Sequence, residues 1–139
     1  MMDAKNFLRQ VEKYDLCIQN KLIELQQWQD MATGITASIG GDRVQSSSSQ
    51  QKMADAVIKC VDMETEINAL VDALIDVKKE VISTIEKVNS PTEYDVLHKR
   101  YIQFMTLQEI ADKYGREYTW VTTTHGRALK NVQMLLNKR

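Results

Sequence analysis

The apolar positions of the chain fall into stripes with the period of an α-helix. Between Asp3 and Ala32 the residues Ala4, Phe7, Val11, Tyr14, Ile18, Leu25, Trp28 and Ala32 recur three, four or seven apart. That spacing marks one side of an amphipathic helix and predicts a helix over about 3–32. From Ser49 to Val88 the pattern tightens. Cys60, Met63, Ile67, Leu70, Leu74, Val77, Val81, Ile85 and Val88 follow a heptad rhythm, predicting a second helix over about 49–88 whose seam needs another helix to cover it. The intervening segment contains Gly34, Gly40, Gly41 and the run Ser46 to Ser49, which predicts a flexible loop over 33–48. A chain that folds back across such a loop forms an antiparallel helical hairpin. Because the second helix is the longer, part of its seam is left over, to be covered either by the C-terminal residues or by a second copy of the chain.

Helical periodicity breaks at Asn89, and local signals take over. Ser90 is suited to cap a helix, Pro91 to open it, and Glu93 stands where a capping box needs its carboxylate. A short helix from there to about Ile102 places Tyr94, Leu97 and Tyr101 on one side. Thr106 and Glu109 form a second capping box, opening a helix over Leu107 to Tyr114, and Gly115 follows as a left-handed terminator. A last helix runs from about Thr119 to Asn137. Two short helices joined at Gly115, with small Ala111 at the crossing and Ile110, Tyr114 and Val121 filling the joint, have the spacing of a helix-turn-helix. The expected fold is therefore all-α, a long helical hairpin over 1–89 followed by a helix-turn-helix over 90–139.

Composition agrees with a helical chain. Of 139 residues only five are Gly and one is Pro, too few breakers for a fold of many strands and turns. With 43% hydrophobic and 27% charged residues the chain falls outside the disordered and membrane classes. Cys17 and Cys60 are far apart and unaccompanied, so neither a disulfide framework nor a zinc site is expected, and both read as small buried hydrophobes. The N-terminal residues lack the apolar core of a signal peptide, which leads to the expectation of a cytoplasmic protein with no membrane partner.

The residues around the second capping box carry a closer likeness. Arg100 through Ala111, then Tyr114-Gly115, then Val121 through Lys130 with Arg127-Ala128-Leu129-Lys130, resemble region four of bacterial sigma factors. The resemblance covers about residues 91–137. It implies a helix-turn-helix that binds the −35 promoter element. Taken with the N-terminal helices and the Gly40-Gly41-Asp42-Arg43-Val44-Gln45-Ser46 loop, the whole chain is similar to small sigma-like regulators of Gram-positive phages and prophages, of the RinA and ArpU type. Where sigma factors commonly show a basic stretch after the valine, this chain departs with Thr122-Thr123-Thr124.

A net charge of −1 conceals a split. Residues 93–139 hold eight Lys and Arg against five Asp and Glu, +3, while the first 92 hold ten against fourteen, −4. Positive charge and the helix-turn-helix spacing share one end of the chain, as phosphate attraction requires. The base-reading candidates are Tyr118, Thr119, Thr122 and Thr123 at the start of the last helix. The phosphate-binding candidates are Arg116, Arg127 and Lys130, because cations there position a duplex without reading it. Trp120 is open between a packing role and base contact. His98 and His125 have no second ligand at metal spacing and read as packed or surface residues.

Nothing points to catalysis. There is no Gly-rich phosphate loop, nucleophile elbow or HExxH, and the carboxylate pairs Glu64 with Glu66 and Asp72 with Asp76 read as a solvated helix surface. The expected partners are double-stranded DNA, RNA polymerase and a second copy of the chain through the long helices, with no cofactor and no small-molecule substrate. The alternative is a protein-interaction module that binds polymerase or a phage protein without reading DNA.

Overall fold

The computed structural model describes residues 2–34 and 47–139. Among them five helices and no strand occur: α1 (Ala4–Thr33), α2 (Ser47–Ile85), α3 (Pro91–Tyr101), α4 (Leu107–Tyr114) and α5 (Tyr118–Asn137). The all-α expectation holds, and each predicted helix is present. Asp3 caps α1 by accepting the Asn6 backbone N–H at 2.8 Å. Helix α1 closes at Thr33, and Gly34 takes a φ of 74°, a left-handed turn that favours glycine. Two of the serines assigned to the loop belong instead to α2, which opens at Ser47 and ends at Ile85, three residues short of Val88. Gly40, Gly41 and the rest of the loop over 35–46 lie outside the described residues.

The chain groups into two compact units, Met1–Tyr14 with Leu74–Arg139, and Asp15–Ala73. Ser90 marks a helix boundary, but the first unit extends across it to take in the start of α1 and the last part of α2.

The first unit is built around a core of Ala4, Phe7, Leu8 and Val11 from α1, Val81 and Ile85 from α2, then Val88, Leu97 and Tyr101, and Ala128, Val132 and Leu136 from α5. Residues that the two long stripes predicted as apolar seam positions therefore cover α3 and α5. Polar ties surround this core. The Ala4 backbone N–H donates to Gln133 Oε1 at 2.8 Å, and Arg139 donates to Glu80 and to Thr84, each at 2.7 Å, while lying over the Phe7 ring. Ser90 caps α3 as expected, accepting the Glu93 N–H at 3.2 Å. The rest of that capping box is absent: Glu93 accepts from the Asn131 side chain of α5, so a contact 38 residues away displaces the local one.

In the Asp15–Ala73 unit, Ile18 of α1 and Ala56, Cys60, Met63 and Ile67 of α2 are buried. Lys21 and Glu66 pair at 3.0 Å, and Gly34 sits beside the Met53 side chain. Cys60 is the small buried hydrophobe that was expected, whereas Cys17 is exposed. It lies about a quarter-turn from the Tyr14 and Ile18 stripe, outside the arc that packing covers.

Candidate functional site

Local chemistry sets the joint between α4 and α5. Thr106 accepts the Glu109 N–H at 3.1 Å while Glu109 accepts the Thr106 N–H at 3.0 Å, completing the capping box. The hydrogen bonds from Thr106 hold the Glu109 carboxyl below its ordinary range. At the other end Gly115 adopts φ 63° and ψ 34°. Its N–H donates to Asp112 O at 3.1 Å, and the Arg116 N–H reaches back to Ala111 O at 3.0 Å, the paired bonds of a Schellman ending. The turn fixes the direction in which α5 leaves.

Packing then locks that direction. Val96, Ile110, Ala111 and Val121 are fully buried together, with Met105, Leu107, Tyr114 and Trp120 partly buried against them. The joint residues expected from the sequence are the ones brought together. Tyr114 donates a hydrogen bond to Asp95, which also accepts from Lys99 at 2.7 and 2.9 Å, tying the end of α4 to α3. Burial and the Asp95 carboxylate push the Tyr114 hydroxyl up to about 12, so it keeps its proton and remains a donor. Burial alone would raise the Asp95 carboxyl, but the Lys99 and Tyr114 hydrogen bonds outweigh it and hold the group below its ordinary value. Trp120 resolves as a packing residue: it is half-buried, tilted against Tyr114 at 5.1 Å, and covered by the Arg116 guanidinium 4.7 Å from its ring.

The outward side of α5 collects most of the sequence-derived site residues. Thr119, Thr123, Arg127 and Lys130 are exposed and Thr122 is half-buried. At 100° per residue Thr119, Thr122, Thr123, Gly126, Arg127 and Lys130 fall in one stripe. Tyr118, 49% exposed, borders it, while Arg116 stands apart on Trp120. Helix α5 contains no Asp or Glu along its 20 residues. Thr122 and Thr123 both donate their hydroxyls to Thr119 O, at 3.0 and 2.8 Å, so each offers outward an acceptor oxygen and a methyl group rather than a donor. Charge follows the units more sharply than it follows Ser90. Met1–Tyr14 with Leu74–Arg139 carries fourteen Lys and Arg against ten Asp and Glu, +4, and Asp15–Ala73 carries four against nine, −5.

Gly126 lies in the same stripe, although the sequence-derived candidates do not include it. Mid-helix glycine is destabilising, yet a Cβ added here would meet nothing within 4 Å among the described residues, so no packing between them requires it. Its signal was legible as an isolated glycine inside a helical pattern.

His125 points away from this stripe. Its Nε2 lies 2.7 Å from the Tyr101 hydroxyl and its ring stacks on Tyr101 at 5.6 Å. Burial, with the charges of Arg100, Lys5 and Arg9, lowers its pKa from 6.5 to about 4. In the unfolded chain the imidazole takes a proton near pH 6.5, but in the fold only near pH 4. Its contribution to stability is therefore complete above pH 6.5 and is lost as the pH falls towards 4. Because the ring is partly solvated, this amounts to about 1–2 kcal/mol. Urea unfolding at pH 7.5 and pH 4.5 should show His125→Leu losing less stability than wild type between the two; equal losses would remove His125 as the cause. His98 is half-buried and shares a hydrogen bond with Gln103 at 2.9 Å.

Among the described residues no cluster of His, Cys, Asp or Glu is placed to hold a metal ion, and no helix is long and apolar enough to cross a membrane. Glu64, Glu66, Asp72 and Asp76 are all exposed. Comparison with protein-family models, curated proteins and solved structures finds no match.

Proposed function

We propose that the chain is a DNA-binding transcription regulator of the sigma-like, phage-derived kind, in which α4 and α5 act as a helix-turn-helix and α5 enters the major groove. The observation that carries this reading is the outward stripe of α5: small and basic, free of carboxylates, and aimed by a joint in which Ile110, Ala111 and Val121 are fully buried. Thr119, Thr122 and Thr123 face the base edges, with Tyr118 beside them, and Arg127 and Lys130 meet phosphates. Arg116, stacked on Trp120, adds a phosphate contact at the turn. The hairpin of α1 and α2 serves a protein partner such as RNA polymerase.

A second reading rests on the same threonines. With the Thr122 and Thr123 hydroxyls committed to Thr119 O, base discrimination is reduced, which favours an interaction module that binds protein alone. A gel-shift titration against promoter duplexes, repeated at several salt concentrations, separates the two. Under the DNA-reading account Thr122→Ala or Thr123→Ala changes which duplexes are preferred and leaves the salt dependence intact. Binding to no duplex at low salt would sink it.

Gly126 supplies an independent check. Gly126→Ala should stabilise the fold by about 0.5–1 kcal/mol, because the added methyl meets open space and the helix loses a flexible residue. It should also weaken DNA binding, since the methyl stands where a backbone-close duplex passes. A variant that gains melting temperature with unchanged affinity would show that DNA does not approach α5 at this point.

A further inference from the structure

Within the Asp15–Ala73 unit, α2 carries an inward apolar stripe and, on another side, an exposed apolar patch. Ala56, Cys60, Met63 and Ile67 are turned inward, at 9% exposure or less. Centred roughly 140° away round the helix lie Ala54, Val57, Ile58, Val61, Thr65 and Asn68. Val57, Ile58 and Val61 are 50, 60 and 58% exposed. These three β-branched aliphatics, held half in water, form an unpartnered apolar patch a little over one turn long, which Ala54, Thr65 and Asn68 continue at coiled-coil spacing into a seam over about four turns. Its borders share one sign: Asp55 and Asp62 lie along one edge, Glu64 along the other, and Asp72 at the C-terminal end. Lys52 and Lys59 lie on the far side of the helix, and among the described residues none of these four carboxylates takes part in an ion pair.

We infer that this side of α2 docks an amphipathic helix of another protein whose apolar stripe is flanked by Lys and Arg. The apolar seam supplies the contact area and the acidic borders select the partner. A second copy of the chain is a poor occupant, because pairing two such seams aligns eight carboxylates with no basic residue between them. The net charge of −5 on this unit extends the same preference to longer range and turns away nucleic acid. The inference does not depend on DNA reading, since the residues it uses belong to the other unit.

Selection of displayed helical peptides on the full-length chain tests it, using a library of about 20 residues with Leu and Ile at the seam and Lys, Arg, Glu or Gln randomised beside it. Lys and Arg should be enriched at the flanks. Peptides recovered in this way should lose roughly tenfold or more in affinity for Val61→Glu, and more than half of their affinity on a threefold rise in salt. The double variant Asp62→Lys with Glu64→Lys should shift preference to Glu-flanked peptides. Val61 is exposed, so Val61→Glu should leave melting temperature and DNA binding unchanged, which keeps this claim separate from the proposed function. The inference is overturned by selection of no peptide, by equal enrichment of Glu at the flanks, by binding that Val61→Glu leaves intact, or by a dimer of the chain in light scattering that Val61→Glu dissociates.

Discussion

Replacing Tyr101 with alanine should destabilise the Met1–Tyr14 with Leu74–Arg139 unit by about 3–5 kcal/mol, the range for truncating a fully packed aromatic side chain. Tyr101 is 2% exposed and belongs to the core that joins α1, α2, α3 and α5. Its loss opens a cavity among four helices that meet through side chains from distant parts of the sequence, so local adjustment cannot fill the space. The same change removes the hydroxyl partner of His125. Tyr101→Phe isolates that second effect: the ring stays, His125 Nε2 loses its partner, and the cost should fall to about 1–2 kcal/mol. Urea titration of the three proteins at pH 7.5 measures both. A Tyr101→Ala cost below about 1 kcal/mol would mean that the helices are not assembled round this ring.

The second large effect is on DNA binding. Arg127→Ala combined with Lys130→Ala removes both cations from the outward stripe of α5, the helix that carries no acidic residue. Each phosphate contact contributes close to one unit to the slope of log affinity against log salt, so the double variant should flatten that slope by about two. Near 100 mM salt its affinity for every duplex should fall by roughly tenfold to a hundredfold, uniformly across sequences, because phosphate contacts carry no base information. Both side chains are exposed, so the melting temperature should stay within a degree or two of wild type. A double variant with wild-type slope would place the duplex elsewhere on the molecule.

Local chemistry was the part of the fold that could be read directly. The Thr106 and Glu109 capping box and the left-handed Gly115 involve neighbours within a few residues, and α4 spans Leu107–Tyr114 as expected. Ser90 and Glu93 show the same spacing, yet Glu93 turns to Asn131, a choice made by the packing of α3 against α5. Leu8 completes the α1 stripe three and four residues from its neighbours, and it is fully buried, so its place was legible though not singled out. Residue type alone places Cys17 inside, whereas the helical wheel sets it off the buried arc, and it is exposed. The Tyr101 and His125 pair, 24 residues apart, has no sequence signal because it depends on how α3 crosses α5. The grouping of residues 1–14 with 74–139 is non-local for the same reason. Of the candidate site, the α5 stripe could be drawn from spacing alone. What spacing could not supply was the direction of the threonine hydroxyls, the Arg116 stack on Trp120, and the empty space above Gly126.

The central claim, that α5 lies in the major groove of duplex DNA, is tested most directly by retaining the full chain on a pool of randomised duplexes at about 50 mM salt and footprinting the bound fraction with dimethyl sulfate, which methylates guanine N7 in that groove. The account predicts retained duplexes whose guanine N7 atoms are protected over about one helical turn, with protection lost in the Arg127→Ala, Lys130→Ala variant. Failure to retain any duplex, or retention with every guanine N7 still reactive, would contradict it.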